Sequence, residues 1–72
     1  MEFLENRLEF TGRDFIDFLL KRGYAVQTAY NWLHRLQIEG LIYVSRVNRN
    51  IKIYRSRVYE EKHEIPPYKV VP

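Results

Sequence analysis

Cysteine is absent from this 72-residue sequence. Without thiols the chain can form no disulfide framework, cysteine nucleophile or thiolate zinc site, and the absence fits a reducing compartment. Long apolar runs are also absent: charges interrupt the N-terminal segment every two or three residues, and no stretch approaches the roughly 20 apolar residues of a membrane-spanning helix. We therefore expect an intracellular protein, in the cytoplasm or nucleoid, that does not insert into a membrane.

Residue patterns for catalysis and cofactor binding are missing as well. The sequence has no glycine-rich phosphate loop, no Ser/His/Asp constellation and no nucleotide-cofactor motif. One acid pair, Asp14 and Asp17, lies three residues apart at the start of a predicted helix, where capping and the helix dipole explain both acids. His34 and His63 each lack a second ligand at metal-binding spacing. We therefore expect no enzymatic activity, cofactor or metal site, and no small-molecule ligand is evident.

Basic charge is concentrated in the middle of the chain, whose total is +3. Residues 21 to 57 hold eight Lys or Arg residues and a single acid, Glu39, which gives this segment a net charge of +7. The segments on either side are net acidic. A localised basic region is typical of a protein that binds a phosphate backbone, because each neutralised phosphate releases condensed counterions.

The length of the chain allows one domain with one core, which contributes only about 3 to 5 kcal/mol of net stability. Four Phe, six Tyr and one Trp are large enough to fill such a core. We expect a homodimer, whose interface would add to the small stability of this core. We place the domain at residues 1 to 58. Residues 59 to 72 begin with a solvated charge run and end in a Pro-containing segment that cannot be helical, so we expect an extended or flexible tail.

Two helices are predicted before residue 23. Apolar residues at near-helical spacing in the first eight positions predict a short first helix. Thr11 and Asp14 approximate a capping box, which predicts a second helix from about residue 12 to residue 22, and Gly23 can adopt the left-handed conformation that ends it. The apolar stripe of this second helix is Phe15, Ile16, Leu19 and Leu20.

A third helix is predicted from about residue 26 to residue 39, with Gly40 after its end. Its apolar residues at helical spacing are Ala29, Trp32, Leu33 and Leu36. At about 100° per residue, the opposite face holds amides, hydroxyls, an imidazole and a cation, with a single aliphatic side chain. The residues on this face are Gln27, Thr28, Tyr30, Asn31, His34, Arg35 and Ile38.

Residues 41 to 47 and 51 to 57 are rich in β-branched and aromatic side chains and predict a β-hairpin. We predict that Asn48 and Arg49 form its two-residue loop, because Asn tolerates positive φ. This register pairs Val44 with Ile53, Arg46 with Ile51, and Tyr43 with Tyr54. The expected fold class is α+β, with three helices followed by a two-stranded β-hairpin.

A helix, a turn at Gly23, a helix with the sequence QTAYNWLHRLQIEGLI and a basic-tipped hairpin together resemble the winged helix-turn-helix DNA-binding domain. The resemblance covers about residues 2 to 57. The recognition-helix pattern runs from Thr28 to Leu36 and continues into the wing at Gly40, Leu41 and Ile42. Two departures are Ala25, where many members have a Ser or Thr N-cap, and a hairpin turn without Gly.

The resemblance implies a sequence-specific double-stranded DNA-binding protein, a transcriptional regulator, acting as a homodimer whose two recognition helices meet neighbouring half-sites. The third helix would enter the major groove, and the hairpin tip would contact the backbone or the minor groove. The compact, cysteine-free, Tyr- and Arg-rich composition is also similar to that of small regulators encoded by archaeal viruses and plasmids.

Two amide residues, Gln27 and Asn31, are the predicted base readers, because amides form paired hydrogen bonds with adenine. Arg49 is the strongest candidate in the hairpin, where long cations reach phosphates or the minor groove. The alternative is an ordinary solvated face and a β edge kept soluble by its cations. The full set of predicted DNA-binding residues is Gln27, Thr28, Tyr30, Asn31, His34, Arg35, Arg46, Arg49 and Lys52.

Two other functions remain open at this stage. A protein-interaction module is one, since winged-helix folds also serve as adaptors; Ile38 and residues 65 to 72 favour it. Binding of RNA or single-stranded nucleic acid is the other, through stacking of bases on Tyr43 or Tyr54. The simpler role for these two tyrosines is cross-strand packing.

Overall fold

The computed structural model describes residues 2 to 68, which form four helices and a three-stranded antiparallel sheet. The predicted α+β class is confirmed. The predicted count of three helices and two strands is wrong, because a short strand precedes the second helix and a fourth helix follows the hairpin. The elements are α1 (Glu2–Asn6), β1 (Glu9–Thr11), α2 (Gly12–Lys21), α3 (Val26–Ile38), β2 (Ile42–Asn48), β3 (Ile51–Ser56) and α4 (Arg57–Lys62).

The start of α2 is the capping box that the sequence predicts. The hydroxyl of Thr11 accepts a hydrogen bond from the Asp14 amide at 3.1 Å, and the Asp14 carboxylate accepts one from the Thr11 amide at 3.1 Å. Two N–H groups that the helix itself leaves unpaired are satisfied in this way. Gly23 follows the helix with φ of +90°, a conformation that side chains disfavour, and turns the chain toward α3.

Helix α3 begins after Ala25, which provides no side-chain cap, and Gly40 follows its end with φ of +76°. Three of its four predicted core residues, Ala29, Leu33 and Leu36, are buried, and Trp32 packs partly buried against the same core. The helix therefore has the predicted inner face.

The sheet has the order β1-β3-β2, so the hairpin of β2 and β3 gains β1 as a third strand. Strand β1 has only three residues, too few for alternation to predict it. The hairpin turn is formed by Arg49 and Asn50, both with positive φ, and not by Asn48 and Arg49 as predicted.

The predicted hairpin register is also wrong. The observed pairs include Val44 with Tyr54 and Arg46 with Ile53. Ser45 lies between Val44 and Arg46 as an extra residue, while their partners on β3 are consecutive, so β2 carries a β-bulge there. The shifted turn and this extra residue together change every predicted partner. The observed pairs across β2 and β3 are Ile42–Ser56, Tyr43–Arg55, Val44–Tyr54, Arg46–Ile53, Val47–Lys52 and Asn48–Ile51.

Aromatic side chains form the centre of the core. The ring of Phe3 lies 4.9 Å from that of Phe10 and 5.5 Å from that of Phe15, both in edge-on geometry. Tyr54 stacks on Phe10 at 5.9 Å. These contacts join α1, β1, α2 and β3, and such pairs add about 0.5 to 1.5 kcal/mol each beyond the area that they bury.

Helix α4 lies where an extended tail was predicted, and Ser56 explains why a helix begins there. The Ser56 hydroxyl accepts a hydrogen bond from the Tyr59 amide at 3.1 Å and donates one to the Leu4 carbonyl at 2.7 Å. This buried contact fastens the start of α4 to α1. The predicted solvated charge run is also wrong at Glu60, which is only 5% exposed. The predicted tail residues 69 to 72 lie outside the described part of the chain.

Candidate nucleic-acid interface

The exposed face of α3 presents all six α3 residues of the predicted DNA-binding set to solvent. They lie opposite the buried Ala29, Leu33 and Leu36, as helical periodicity requires. Ile38, on the same face, is 72% exposed. The six exposed residues of the predicted set are Gln27, Thr28, Tyr30, Asn31, His34 and Arg35.

The two predicted base readers contact each other along this face. The side-chain nitrogen of Gln27 donates to the side-chain oxygen of Asn31 at 3.3 Å, one turn further along the helix. This contact uses the Gln27 nitrogen and the Asn31 oxygen, so the Gln27 oxygen and the Asn31 nitrogen take no part in it. An acceptor and a donor of this kind match the hydrogen-bonding edge of adenine.

The guanidinium of Arg35 contacts two neighbouring side chains near the C-terminal half of α3. It lies 2.8 Å from the Glu39 carboxylate and 5.7 Å from the centre of the Trp32 ring. Both ion-pair partners are exposed, so the pair is weak. Thr28 and Asn31, together with Trp32 and Arg35, border a shallow depression of about 160 Å³.

The hairpin tip carries two cations that have no acidic partner among the described residues. Arg49 and Lys52 are exposed, and neither forms an ion pair with any residue between 2 and 68. Arg46, the third predicted cation of the hairpin, differs because its guanidinium lies 3.6 Å from the Glu9 carboxylate on β1. Glu9 is not among the residues that the sequence predicts for this interface. Its position between the apolar Leu8 and Phe10 is an alternation of three residues, which is too short to predict a strand by itself.

A groove of about 770 Å³ separates α3 from the hairpin. Val26 and Tyr30 form its α3 wall, and residues 50 to 52 form its hairpin wall. Both predicted DNA-binding elements therefore border one groove. Its floor and remaining wall come mainly from α2 and β3. The lining residues are Thr11, Gly12, Arg13, Ile16, Asp17, Leu20, Val26, Tyr30, Leu33, Asn50, Ile51, Lys52 and Tyr54.

Arg55 and Arg57, which belong to the same basic segment of sequence, do not lie at the hairpin tip. Arg55 is half-buried, forms an ion pair with the buried Glu60 and donates to the Pro66 carbonyl at 3.1 Å. The guanidinium of Arg57 lies 5.0 Å from the centre of the Tyr43 ring. Arg55 therefore has a structural role, because it joins β3 to α4 and to the segment that follows it.

Tyr43 and Tyr54 are not open stacking platforms. Tyr54 is buried against Phe10, and the half-buried Tyr43 donates to the Glu60 carboxylate at 2.6 Å while accepting from the Tyr68 amide at 2.9 Å. Burial raises the pKa of the Tyr43 phenol, and the hydrogen bond to Glu60 raises it further. Burial also raises the pKa of the Tyr54 phenol. Both hydroxyls therefore stay protonated at neutral pH.

Residues 2 to 68 contain no group of three or more His, Asp or Glu side chains arranged to hold a metal ion. Within the same range, no helix combines the length and apolar character needed to cross a bilayer. No protein family, curated protein or solved structure matches this chain.

Proposed function

We propose that this chain is a winged helix-turn-helix protein that binds double-stranded DNA with sequence preference and regulates transcription inside the cell. The observation that carries the proposal is that α3, whose exposed face holds the amides, and the hairpin, whose tip holds the unpaired cations, border the same groove, with Tyr30 on one wall and Lys52 on the other. A surface of this kind combines groups that read bases with groups that bind phosphates.

The order of the elements supports this proposal. Helices α2 and α3 are joined by a short turn at Gly23, and the hairpin follows α3 directly. Strand β1 completes a small sheet at the base of the hairpin. This arrangement is compatible with a winged helix, in which the hairpin is the wing.

In the proposed complex, the N-terminal half of α3 enters the major groove. The helix has 13 residues, which corresponds to a length of roughly 20 Å, and the groove is about 12 Å wide, enough for one helix. Gln27 and Asn31, which are both exposed, read adenine through the amide atoms that their mutual hydrogen bond does not use. Thr28, Tyr30 and His34 contact phosphates or base edges beside them.

The wing provides the non-specific part of the binding. Arg49 and Lys52 do not have to break an ion pair before they contact a phosphate, so their full charge is available for binding. Arg35 contacts the backbone after release from its weak pair with Glu39. Arg46 starts from its pair with Glu9 and contributes less.

A homodimer is part of the proposal, because two copies of α3 would then meet half-sites about one helical turn, roughly 34 Å, apart. The extra contacts would offset the small size of a single interface. A dimer would also favour operators with two-fold symmetry.

Selection of bound sequences from a pool of random duplexes tests the proposed function. The expected result is an enriched motif, followed by gel shifts in which the enriched duplex binds more tightly than a scrambled one and both weaken as salt rises. Absence of salt-sensitive duplex binding would reject the proposal.

A protein-interaction module is the second candidate, and the exposure of Ile38 favours it. An aliphatic side chain on an otherwise polar face is more useful to a protein groove than to DNA. Charge reversal at Arg49 separates the two functions: it should abolish DNA binding but leave affinity for a protein partner of α3 mostly intact. Single-strand binding through Tyr54 is disfavoured, because this ring is buried.

A further inference from the structure

The sheet changes from three strands to two at a defined row. Strand β1 ends at Thr11, which pairs with Ile53, and Ile53 pairs on its other side with Arg46. Beyond this row, residues 47 to 52 continue as a two-stranded ribbon toward the tip. The base of the ribbon is therefore the place where its direction is set.

The β-bulge lies at this base. Ser45 is the extra residue and is only 3% exposed. Its hydroxyl lies 3.1 Å from the Ile53 carbonyl oxygen and 3.4 Å from the Glu9 carboxylate, so its single proton has an acceptor on each of the other two strands. Bulges increase the local twist and redirect the strand that carries them.

Glu9 joins the two outer strands across the central one. Its carboxylate reaches Ser45 with one oxygen and, with the other, lies 3.6 Å from the guanidinium of Arg46. Since neighbouring strands are about 4.8 Å apart, this contact spans roughly 10 Å of sheet. Glu9 also faces Arg55, but that guanidinium is already paired with Glu60.

We propose that Glu9 is a positioning residue of the DNA interface, which fixes the base of the wing and withholds Arg46 from the phosphates. This inference rests on the proposed DNA-binding function. In the wild-type protein, Arg49 and Lys52 then carry the phosphate contacts of the wing. Arg46 becomes a further phosphate ligand when Glu9 is neutralised.

The test measures the salt dependence of binding to a random-sequence duplex between about 50 and 200 mM salt. Glu9→Gln should bind several-fold more tightly than wild type, and its slope of log K against log salt should be steeper by about 0.9, the value for one added phosphate contact. Adding Arg46→Gln to Glu9→Gln should abolish both gains. A purely structural role for Glu9 would lower the melting temperature and leave the slope unchanged.

Glu5→Gln is the matched control, because it removes one negative charge from an exposed position on α1 that forms no ion pair with a described residue. It should leave the slope at the wild-type value. An equal gain in Glu5→Gln, an unchanged slope in Glu9→Gln, or a gain that survives Arg46→Gln would overturn the proposal.

A measurement on the free protein tests the positioning role without DNA. The ¹⁵N order parameters of Val47 and Ile51 should fall in Glu9→Gln and in Ser45→Ala, and should stay unchanged in Glu5→Gln. Rigid wings in both variants would refute the role of Glu9 at the base. Failure of the proposed DNA-binding function would differ, since wild-type protein would then show no salt-sensitive binding while these order parameters still respond.

Discussion

The side chains of Gln27 and Asn31 are hydrogen-bonded to each other at 3.3 Å on the exposed face of α3. Each amide restricts the rotamers of the other, so the pair is partly ordered before any ligand binds. Ordering in the free state lowers the conformational entropy that binding would otherwise cost. Substitutions of these two residues therefore test base recognition most directly.

Replacing Asn31 by Ala should relax the base preference more than it weakens binding overall. A well-formed amide–adenine contact is worth about 1 to 3 kcal/mol of discrimination, so preference at one position should fall roughly tenfold or more. Selection from random duplexes with the variant measures this loss. Asn6→Ala makes the same chemical change on α1 and should retain the wild-type motif; an unchanged motif in Asn31→Ala would contradict base reading by this residue.

Replacing Arg49 by Gln should weaken binding to all duplexes by a similar factor. Its unpaired guanidinium at the wing tip acts through phosphates, which carry no sequence information. The slope of log K against log salt should become shallower by about 0.9. Lys62→Gln removes the same charge from exposed α4 and provides the control. A loss confined to the preferred sequence would instead assign Arg49 to base reading.

Replacing Glu60 by Gln should destabilise the fold by about 3 kcal/mol, because it leaves Arg55, whose side chain is only 12% exposed, without its counter-charge. Denaturation in urea, followed by circular dichroism, measures the change in the free energy of unfolding. Glu61→Gln, on the exposed side of the same helix, should stay within about 0.5 kcal/mol of wild type. Equal stabilities of the two variants would show that the Arg55–Glu60 pair contributes little.

Alkaline pH should destabilise the protein through Tyr43 and Tyr54. In the folded state burial is the main cause that raises the pKa of each phenol. In the unfolded chain both phenols ionise near the ordinary pKa of about 10. Their stabilising contribution is therefore complete below about pH 10 and is lost as pH rises through the folded-state pKa values. Thermal melts across this range should fall less steeply in Tyr43→Phe, and an identical fall would contradict the raised pKa of Tyr43.

Local signals were sufficient for the helices that form the centre of the fold. The capping box at Thr11, the positive φ of Gly23 and the inner face of α3 depend on residues close in sequence, and the structure confirms all three. Strand β1 and helix α4 were missed because their stability depends on distant partners. The hydroxyl of Ser56 donates to Leu4, 52 positions away, and no periodicity reports such a contact.

The candidate site was predictable to the same extent. Helical periodicity was enough to predict which residues of α3 are exposed. It could not reveal which cations are already paired: Arg46 is held by Glu9 from another strand, and Arg55 is held by an acid that the sequence assigns to a solvated run. The bulge at Ser45 was equally hidden, since its extra residue is defined only by the partner strand.

The proposed interface is tested most directly by NMR titration of ¹⁵N-labelled protein with a duplex recovered from the random pool. The predicted result is a set of amide and side-chain shifts concentrated at Gln27, Asn31 and the hairpin tip around Arg49, with α4 unaffected. Shifts confined to α1 and α4, or no shifts at protein concentrations well above those of the gel assay, would contradict it.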